Sequence, residues 1–362
     1  MTSYVQELKV NDMARIEGRK ADHINITLNE NVTPGYRYWD DIRFIHEALP
    51  EIDYDDIDTS DMVLDKRLEF PFIVNAITGG FDGATRINEN IAKACAEVGV
   101  GMGVGSQRAA AEGISKESYS VINDYDIPLV IGNVGAPQLV EQKKKHALKA
   151  DDVMGLMELI SADYMAIHLN FLQESVQPEG DMNGKGCLEA IRDLAKEIPI
   201  IVKETGAGIS HDTAERLNGI GVRAIDIGGM GGTSFSAIEM YRAIEKNDRT
   251  KSRLGRTFFD WGIPATVSLL MMDSKLPIIS SGGIMNGLDV ARSIAMGASC
   301  AGASFAVLKA ATESYEAVKE TLLTIKEELR TAMMLTGCSN IKELSETGFV
   351  TVGRTKEWME GL

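Results

Sequence analysis

The chain has 362 residues, of which 44% are hydrophobic and 25% charged, a balance that fits a folded globular protein and excludes disordered, collagen-like and coiled-coil classes. Its 37 Lys and Arg against 53 Asp and Glu leave a formal net charge of −16, so the averaged field repels nucleic acid and anionic lipid, and an anionic ligand needs a local basic cluster. Cys95, Cys187, Cys300 and Cys338 are far apart and form no CxxC pair, which argues against zinc or a disulfide framework and for a reducing cytoplasm. The polar start and the lack of an apolar run of about 20 residues lead to the expectation of a soluble, unexported protein with no membrane partner.

In chain order, residues 1–69 precede the repeating pattern and carry the basic cluster Arg19, Lys20 and His23 and an acidic stretch over 51–61. From about residue 70, short apolar runs alternate with segments of helical periodicity. The runs predict strands over 70–78, 98–105, 128–134, 164–169, 198–203, 224–227, 277–281 and 300–303. Helices are predicted over 84–97, 150–161, 188–196, 211–217, 288–296 and 315–335. Eight strand-then-helix units without a second domain predict an α/β fold, a (β/α)8 TIM barrel over 70–335 with an N-terminal extension and a tail over 336–362. An insertion over about 234–275, between strands six and seven, reads as a lid or subunit contact. Lys143, Lys144 and Lys145 read as the solvated face of a helical segment, and His46, His146 and His211 as surface residues.

Chemistry in such a barrel sits where the strands end at their C-termini. Every predicted strand end there is polar or glycine-rich: Thr78-Gly79-Gly80, Ser106-Gln107-Arg108, Asn133, His168-Leu169-Asn170 with Gln173-Glu174, Lys203-Glu204, a Gly-rich run to Thr233, Ser281-Gly282-Gly283, and Gly302-Ala303-Ser304. Gly282-Gly283 with Gly302-Ala303 after the last two strands reads as a phosphate site, because small residues let backbone N–H groups approach phosphate oxygens. Gly101, Gly103 and Gly105 lack the GxGxxG spacing of a dinucleotide fingerprint. Lys203, ending an apolar strand, serves either as a Schiff-base amine or as a cation facing an anion. His168 and Asn170 face one side, Glu174 among neutral amides suits Mg²⁺, and Arg108 with the 19–23 cluster is equipped to grip a diphosphate.

The motifs RKADHI, AITGG, GSQR, HLNFLQE, VKETGAGIS, GGMGGTSF and DWGIPAT, in order over about residues 15–335, resemble those of type 2 isopentenyl diphosphate isomerases. The resemblance implies an FMN-bound barrel that interconverts isopentenyl and dimethylallyl diphosphate with reduced FMN and Mg²⁺, NAD(P)H or another donor supplying the reduction. It implies that Thr78, Gly79, Gly80, Ser106, Asn133, Lys203 and Thr233 hold the flavin and that Gly282, Gly283 and Ala303 cradle its phosphate. Arg19, Lys20, His23, Arg108, His168 and Asn170 would bind the substrate diphosphate, Gln173 would lie by the reacting carbons as the catalytic residue, and Glu174 would hold Mg²⁺. The extension would then complete the substrate site, in a cytoplasmic homo-oligomer (tetramer or octamer). One departure stands out: members often read GGIR after strand seven, where this chain has Met285. The competing readings are an FMN oxidoreductase of the 2-hydroxy acid oxidase type, an inosinate-dehydrogenase-like enzyme, for which Cys187 and Cys300 are poorly placed, and a flavin binder without turnover.

Overall fold

Short runs of Ile, Val, Ala and Gly, buried on both faces, form the central sheet of the computed structural model, which describes residues 18–143 and 145–362. The strands in chain order are β1 (Ile42–Phe44), β2 (Asp61–Val63), β3 (Lys66–Leu68), β4 (Phe72–Val74), β5 (Gly101–Gly103), β6 (Val130–Gly135), β7 (Tyr164–Leu169), β8 (Ile200–Glu204), β9 (Ala224–Asp226), β10 (Ile278–Ser281), β11 (Cys300–Ala303) and β12 (Phe349–Thr351). Strands β4 to β11 pair in parallel and in sequence, and β11 returns to β4, closing an eight-stranded barrel. The predicted (β/α)8 fold is the observed one.

The helix Asp82–Val98 shows how the outer layer forms. Ile87, Ile91, Ala94, Cys95 and Val98 share one stripe, and all are buried against the barrel. Gly99 ends the helix in the left-handed conformation (φ 76°), its N–H donating to the Cys95 carbonyl at 2.8 Å. The predicted first and second strands are longer than the observed β4 and β5, because Val98 still belongs to this helix and residues 75–78 already turn into the rim.

The hairpin β2–β3 was not foreseen. It carries Val63 and Leu68 into a cluster with Ile73, Ile131, Ile201 and Ile279, plugging the N-terminal end of the barrel. Burying each such side chain contributes about 1.5–3 kcal/mol. Residues 234–275 are no loose loop but the helices Phe235–Glu245, Arg249–Thr257 and Ala265–Leu270, the first two packed on each other through Gly255, whose Cα lies against Met240. The described residues 140–143 and 145–149 are irregular rather than helical; Lys144 lies outside the described residues, and Lys145 pairs with Asp181 at 3.2 Å. Residues 336–362 fold back as two helices around β12, which pairs antiparallel with β1 of the N-terminal segment. Of that N-terminal segment, 1–17 lie outside the described residues.

Candidate active site

Side chains alternate along each barrel strand, so a residue two places beyond an inward apolar one also points inward, one layer nearer the C-terminal rim. The apolar layer contains Ile73, Ile131, Ala166, Ile201, Ala224 and Ile279. Two residues on stand Asn75, Asn133, His168, Lys203, Asp226 and Ser281, so the lumen changes from hydrocarbon to polar in one step. These residues bond to one another. His168 Nδ1 meets Asn133 Oδ1 at 2.8 Å, and Asn133 Nδ2 donates to the Val104 carbonyl at 3.1 Å. Asp226 accepts from Asn75 Nδ2 at 3.0 Å and from the Ser281 hydroxyl, and lies 4.0 Å from Lys203 Nζ. Burial, then the charges of Lys203, Lys20 and Arg108, push His168 down to about 3, so it is neutral and donates from Nδ1.

Above this floor opens a cavity of about 1470 Å³, its mouth included. One wall is cationic. Arg19, Lys20 and His23 come from a helix over 18–29, which lies on the helix Phe235–Glu245 through Ile26, Ala237 and Ile238. His23 is not free: its Nε2 lies 2.9 Å from Glu239 Oε1, and Glu239 also binds Arg242, which reaches Glu179 at 3.0 Å. Burial opposes ionisation of Glu239, but the His23 contact and the Arg242 guanidinium hold it at about 2.

Arg19, Lys20 and Arg108 converge on this wall, Arg108 being held by the carboxylates of Asp181 and Glu112. Burial, then Arg108, lowers the pKa of Arg19, and burial, then Arg19 and Arg108, lowers that of Lys20 to about 7. Lys20 Nζ donates to the Ser106 carbonyl at 3.3 Å, and Arg108 Nη1 pairs with Asp181 at 2.9 Å. Arg19 Nε is buried without a hydrogen-bond acceptor, Arg108 Nε has only the Glu112 carboxylate at 3.5 Å, and the acceptor Asn170 Oδ1 is buried without a donor. Asn170 Nδ2 donates to Gln173 Oε1 at 3.1 Å and to Glu174 Oε1 at 3.0 Å, fixing both side chains on the short helix Phe171–Val176. Glu174 Oε2 accepts the Asp181 N–H at 2.6 Å; burial nonetheless raises its pKa.

The opposite wall is glycine. Gly282 (φ 104°) and Gly283 (φ 80°) are left-handed, and a Cβ on them would stand 2.0 Å from the Gly229 oxygen and 2.6 Å from the Gly231 oxygen. Among the described residues, no protein group accepts from the Gly282 or Gly283 N–H. The N-terminus of the helix Phe305–Glu313 faces the same end of the cavity with Ser304 and Phe305. Thus unpaired backbone donors lie on one side and cations on the other. The lining is shaped for a ligand, or two ligands, bearing anionic groups at both ends.

A family model described as FMN-dependent dehydrogenase matches residues 136–351. A relative from Thermoplasma acidophilum named isopentenyl-diphosphate delta-isomerase is 48% identical over 94% of this chain and 98% of its own. One of the same name from Archaeoglobus fulgidus is 44% identical over 94% and 98%. The chain belongs to the type 2 isopentenyl-diphosphate delta-isomerase family. Among solved structures, the flavin-binding domain of baker's yeast flavocytochrome b2 superposes with a TM-score of 0.58 at 18% identity, covering 85% of this chain and 75% of that one. A mandelate oxidase with a monooxide FMN adduct gives 0.55 at 16%, covering 87% and 90%. These two matches show the shared barrel.

In this isomerase the cavity brings together Arg19, Lys20, His23, Thr78, Ser106, Arg108, Asn133, His168, Asn170, Gln173, Glu174, Lys203, Thr233, Gly282, Gly283 and Ala303, all singled out from sequence. Gly79 and Gly80 do not line it; they pack against the Tyr119 ring, where no Cβ fits, and Tyr119 in turn donates to the Ser106 carbonyl at 2.6 Å. Sequence reasoning placed Glu204 at a strand end without giving it a role, and missed Asp226 and Glu239. Glu204 Oε2 accepts the N–H groups of Thr205, Gly206, Ala207 and Gly208, holding the loop after β8, yet burial pushes Glu204 up to about 7. The available signal was an acid directly before the small-residue run TGAG, and for Asp226 a carboxylate inside an apolar strand.

Proposed function

We propose that this isomerase interconverts isopentenyl and dimethylallyl diphosphate by an allylic proton shift, using reduced FMN and Mg²⁺. The observation that carries the reading is the convergence of half-buried Arg19 and Lys20 with buried Arg108 on one wall of the cavity, opposite a glycine cradle whose N–H groups have no acceptor among the described residues. FMN fits this donor set: Gly282 and Gly283, with Gly302, Ala303 and the helix N-terminus, at its phosphate, and Thr78, Ser106, Asn133, Lys203 and Thr233 along the ring and ribityl chain. Bound and reduced, the flavin supplies an acid–base position at N5, with NAD(P)H or another donor providing the electrons.

The chain's own residues do the rest. Arg19, Lys20 and Arg108 take the diphosphate, and Arg108 exchanges part of its Asp181 pairing for phosphate oxygens. Among the described residues no cluster of three or more His, Cys, Asp or Glu is placed to hold a metal. Glu174 with Asn170 Oδ1 nevertheless suits Mg²⁺, which commonly uses one carboxylate and completes its shell with water and substrate phosphates. Gln173, held by Asn170, lies by the allyl group; His168, His23 and the 1–69 extension complete the diphosphate end. One proton is added at the terminal carbon and another removed from the allylic methylene, so the reaction is redox-neutral, and a water-poor cavity protects its cation-like course. The protein is proposed to work in the cytoplasm as a homo-oligomer, a tetramer or octamer. Among the described residues no helix is long and apolar enough to cross a membrane.

An anaerobic assay with FMN, dithionite and Mg²⁺, following isopentenyl diphosphate by NMR in D₂O, tests this. Deuterated dimethylallyl diphosphate formed only under reduction is the expected result; its absence with bound reduced flavin overturns the reading and directs attention to hydroxy-acid oxidation. That rival is weakened by the run 282–287, GGIMNG, which holds neither His nor Arg, and by Met285, whose side chain is 40% exposed and outside the cavity.

A further inference from the structure

We infer that Trp39, in the N-terminal extension, is a positioning residue for the phosphate cradle, and that it makes the site select a phosphorylated flavin over its unphosphorylated form. This rests on the reading that the cradle takes the flavin phosphate. Trp39 lies in the 3-10 turn Tyr38–Asp41, is almost wholly buried, and donates its Nε1–H to the Gly282 carbonyl at 2.8 Å. The Gly282 carbonyl and the Gly283 N–H belong to one planar trans peptide and point in opposite directions. Fixing the carbonyl outward on Trp39 therefore fixes the N–H inward.

A peptide between two glycines turns over readily, since neither residue carries a Cβ to forbid the alternative. Something outside the loop must hold it. Trp39 does so at its first residue, and Arg37 does so at its last: Arg37 Nη2 donates to both oxygens of Asp289 at 2.8 and 2.7 Å, and Asp289 Oδ2 accepts the Met285 N–H at 3.0 Å. The turn is itself anchored, because Asp41 Oδ2 accepts from Thr355 N–H at 2.8 Å and Thr355 Oγ1 at 2.9 Å, and β1 pairs with β12. The C-terminal residues thus brace the N-terminal turn, which braces the loop.

This end of the cavity, lined by Gly282, Gly283, Ile284, Ala303, Ser304 and Phe305, offers no cationic side chain. Recognition of a phosphate there depends on the aim of backbone N–H groups, which is the property Trp39 controls.

The test compares FMN and riboflavin affinities, by quenching of flavin fluorescence, for the full-length wild type and Trp39→Phe, which keeps ring packing and removes the donor. We expect Trp39→Phe to weaken FMN binding about tenfold and riboflavin binding less than about twofold, so that most of the preference is lost. A merely structural residue would weaken both ligands alike. If Trp39→Phe does not fold, as judged by near-UV circular dichroism, Arg37→Leu, which removes one of the two guanidinium groups holding Asp289 and leaves Arg292 at 3.0 Å, is expected to lower the same ratio to a smaller extent. An unchanged ratio in the variant overturns the inference while leaving the flavin reading intact. A wild type that does not prefer FMN overturns both.

Discussion

Lys20 should take up a proton when a diphosphate binds. In the free protein, burial and the adjacent guanidinium groups of Arg19 and Arg108 hold Lys20 at about 7 against an ordinary 10.5, so at pH 8 about nine-tenths of it is neutral. A diphosphate placed among these three groups reverses the local field and restores the charge. Binding at pH 8 to 9 therefore absorbs close to one proton per ligand, and the association constant falls about tenfold per pH unit from about pH 7 up to the raised pKa of the complex. Calorimetric titration with inorganic pyrophosphate and Mg²⁺ in two buffers of different ionisation heat measures the uptake directly. Lys20→Met should abolish both uptake and slope, holding the affinity near its high-pH level. The sign for folding is the opposite of a gain: the charged form is penalised in the fold below about pH 7, and that penalty fades as pH rises toward 10.5. Absence of proton uptake at pH 8 to 9 in the wild type refutes the reasoning, and uptake that survives Lys20→Met refutes its assignment to Lys20.

Three further outcomes are expected. Arg19→Ala should weaken diphosphate binding about 30-fold, from loss of a buried charge partner worth about 2 kcal/mol, and leave flavin content unchanged; parallel loss of flavin would contradict the placement of Arg19 at the diphosphate end. Glu239→Gln removes the carboxylate shared by His23 and Arg242, leaving Arg242 with Glu179 and Asp22, and should cost about 3 kcal/mol at pH 7 by urea denaturation, and because Glu239 is held at about 2, the gap to wild type should close as pH falls from about 4.5 toward 2. Gly282→Ala drives a methyl group into the Gly229 oxygen at a left-handed φ and should cost about 2–4 kcal/mol and release flavin, while a wild-type denaturation midpoint would refute the packing argument.

The barrel was legible because its strands are buried on both faces and so read as apolar runs at regular spacing, each ending in polar or glycine residues. The rim residues were legible for the same reason: a polar group two places beyond an inward apolar one stands out, as Asn133 beyond Ile131 and Lys203 beyond Ile201 do. At Gly79 and Gly80 the sequence alone does not distinguish a glycine that accommodates a neighbouring ring from one that accommodates a ligand; the structure shows Tyr119 against them. Glu204 was given no role and Asp226 was overlooked because their significance lies in their partners, four successive N–H groups for one and residues from distant strands for the other.

By itself, then, the sequence determined the barrel and its polar, glycine-rich rim, since these follow from strand alternation and local residue chemistry, which act over a few positions. Tertiary structure alone decided which distant segments meet. That Arg19 stands near Arg108, that His23 is held by Glu239, and that Trp39 holds the Gly282 carbonyl depend on how the extension packs on the rim across separations of up to 243 residues. Those contacts are set by shape complementarity among buried surfaces such as Ile26 against Ile238, and no local pattern encodes the surface a segment will find.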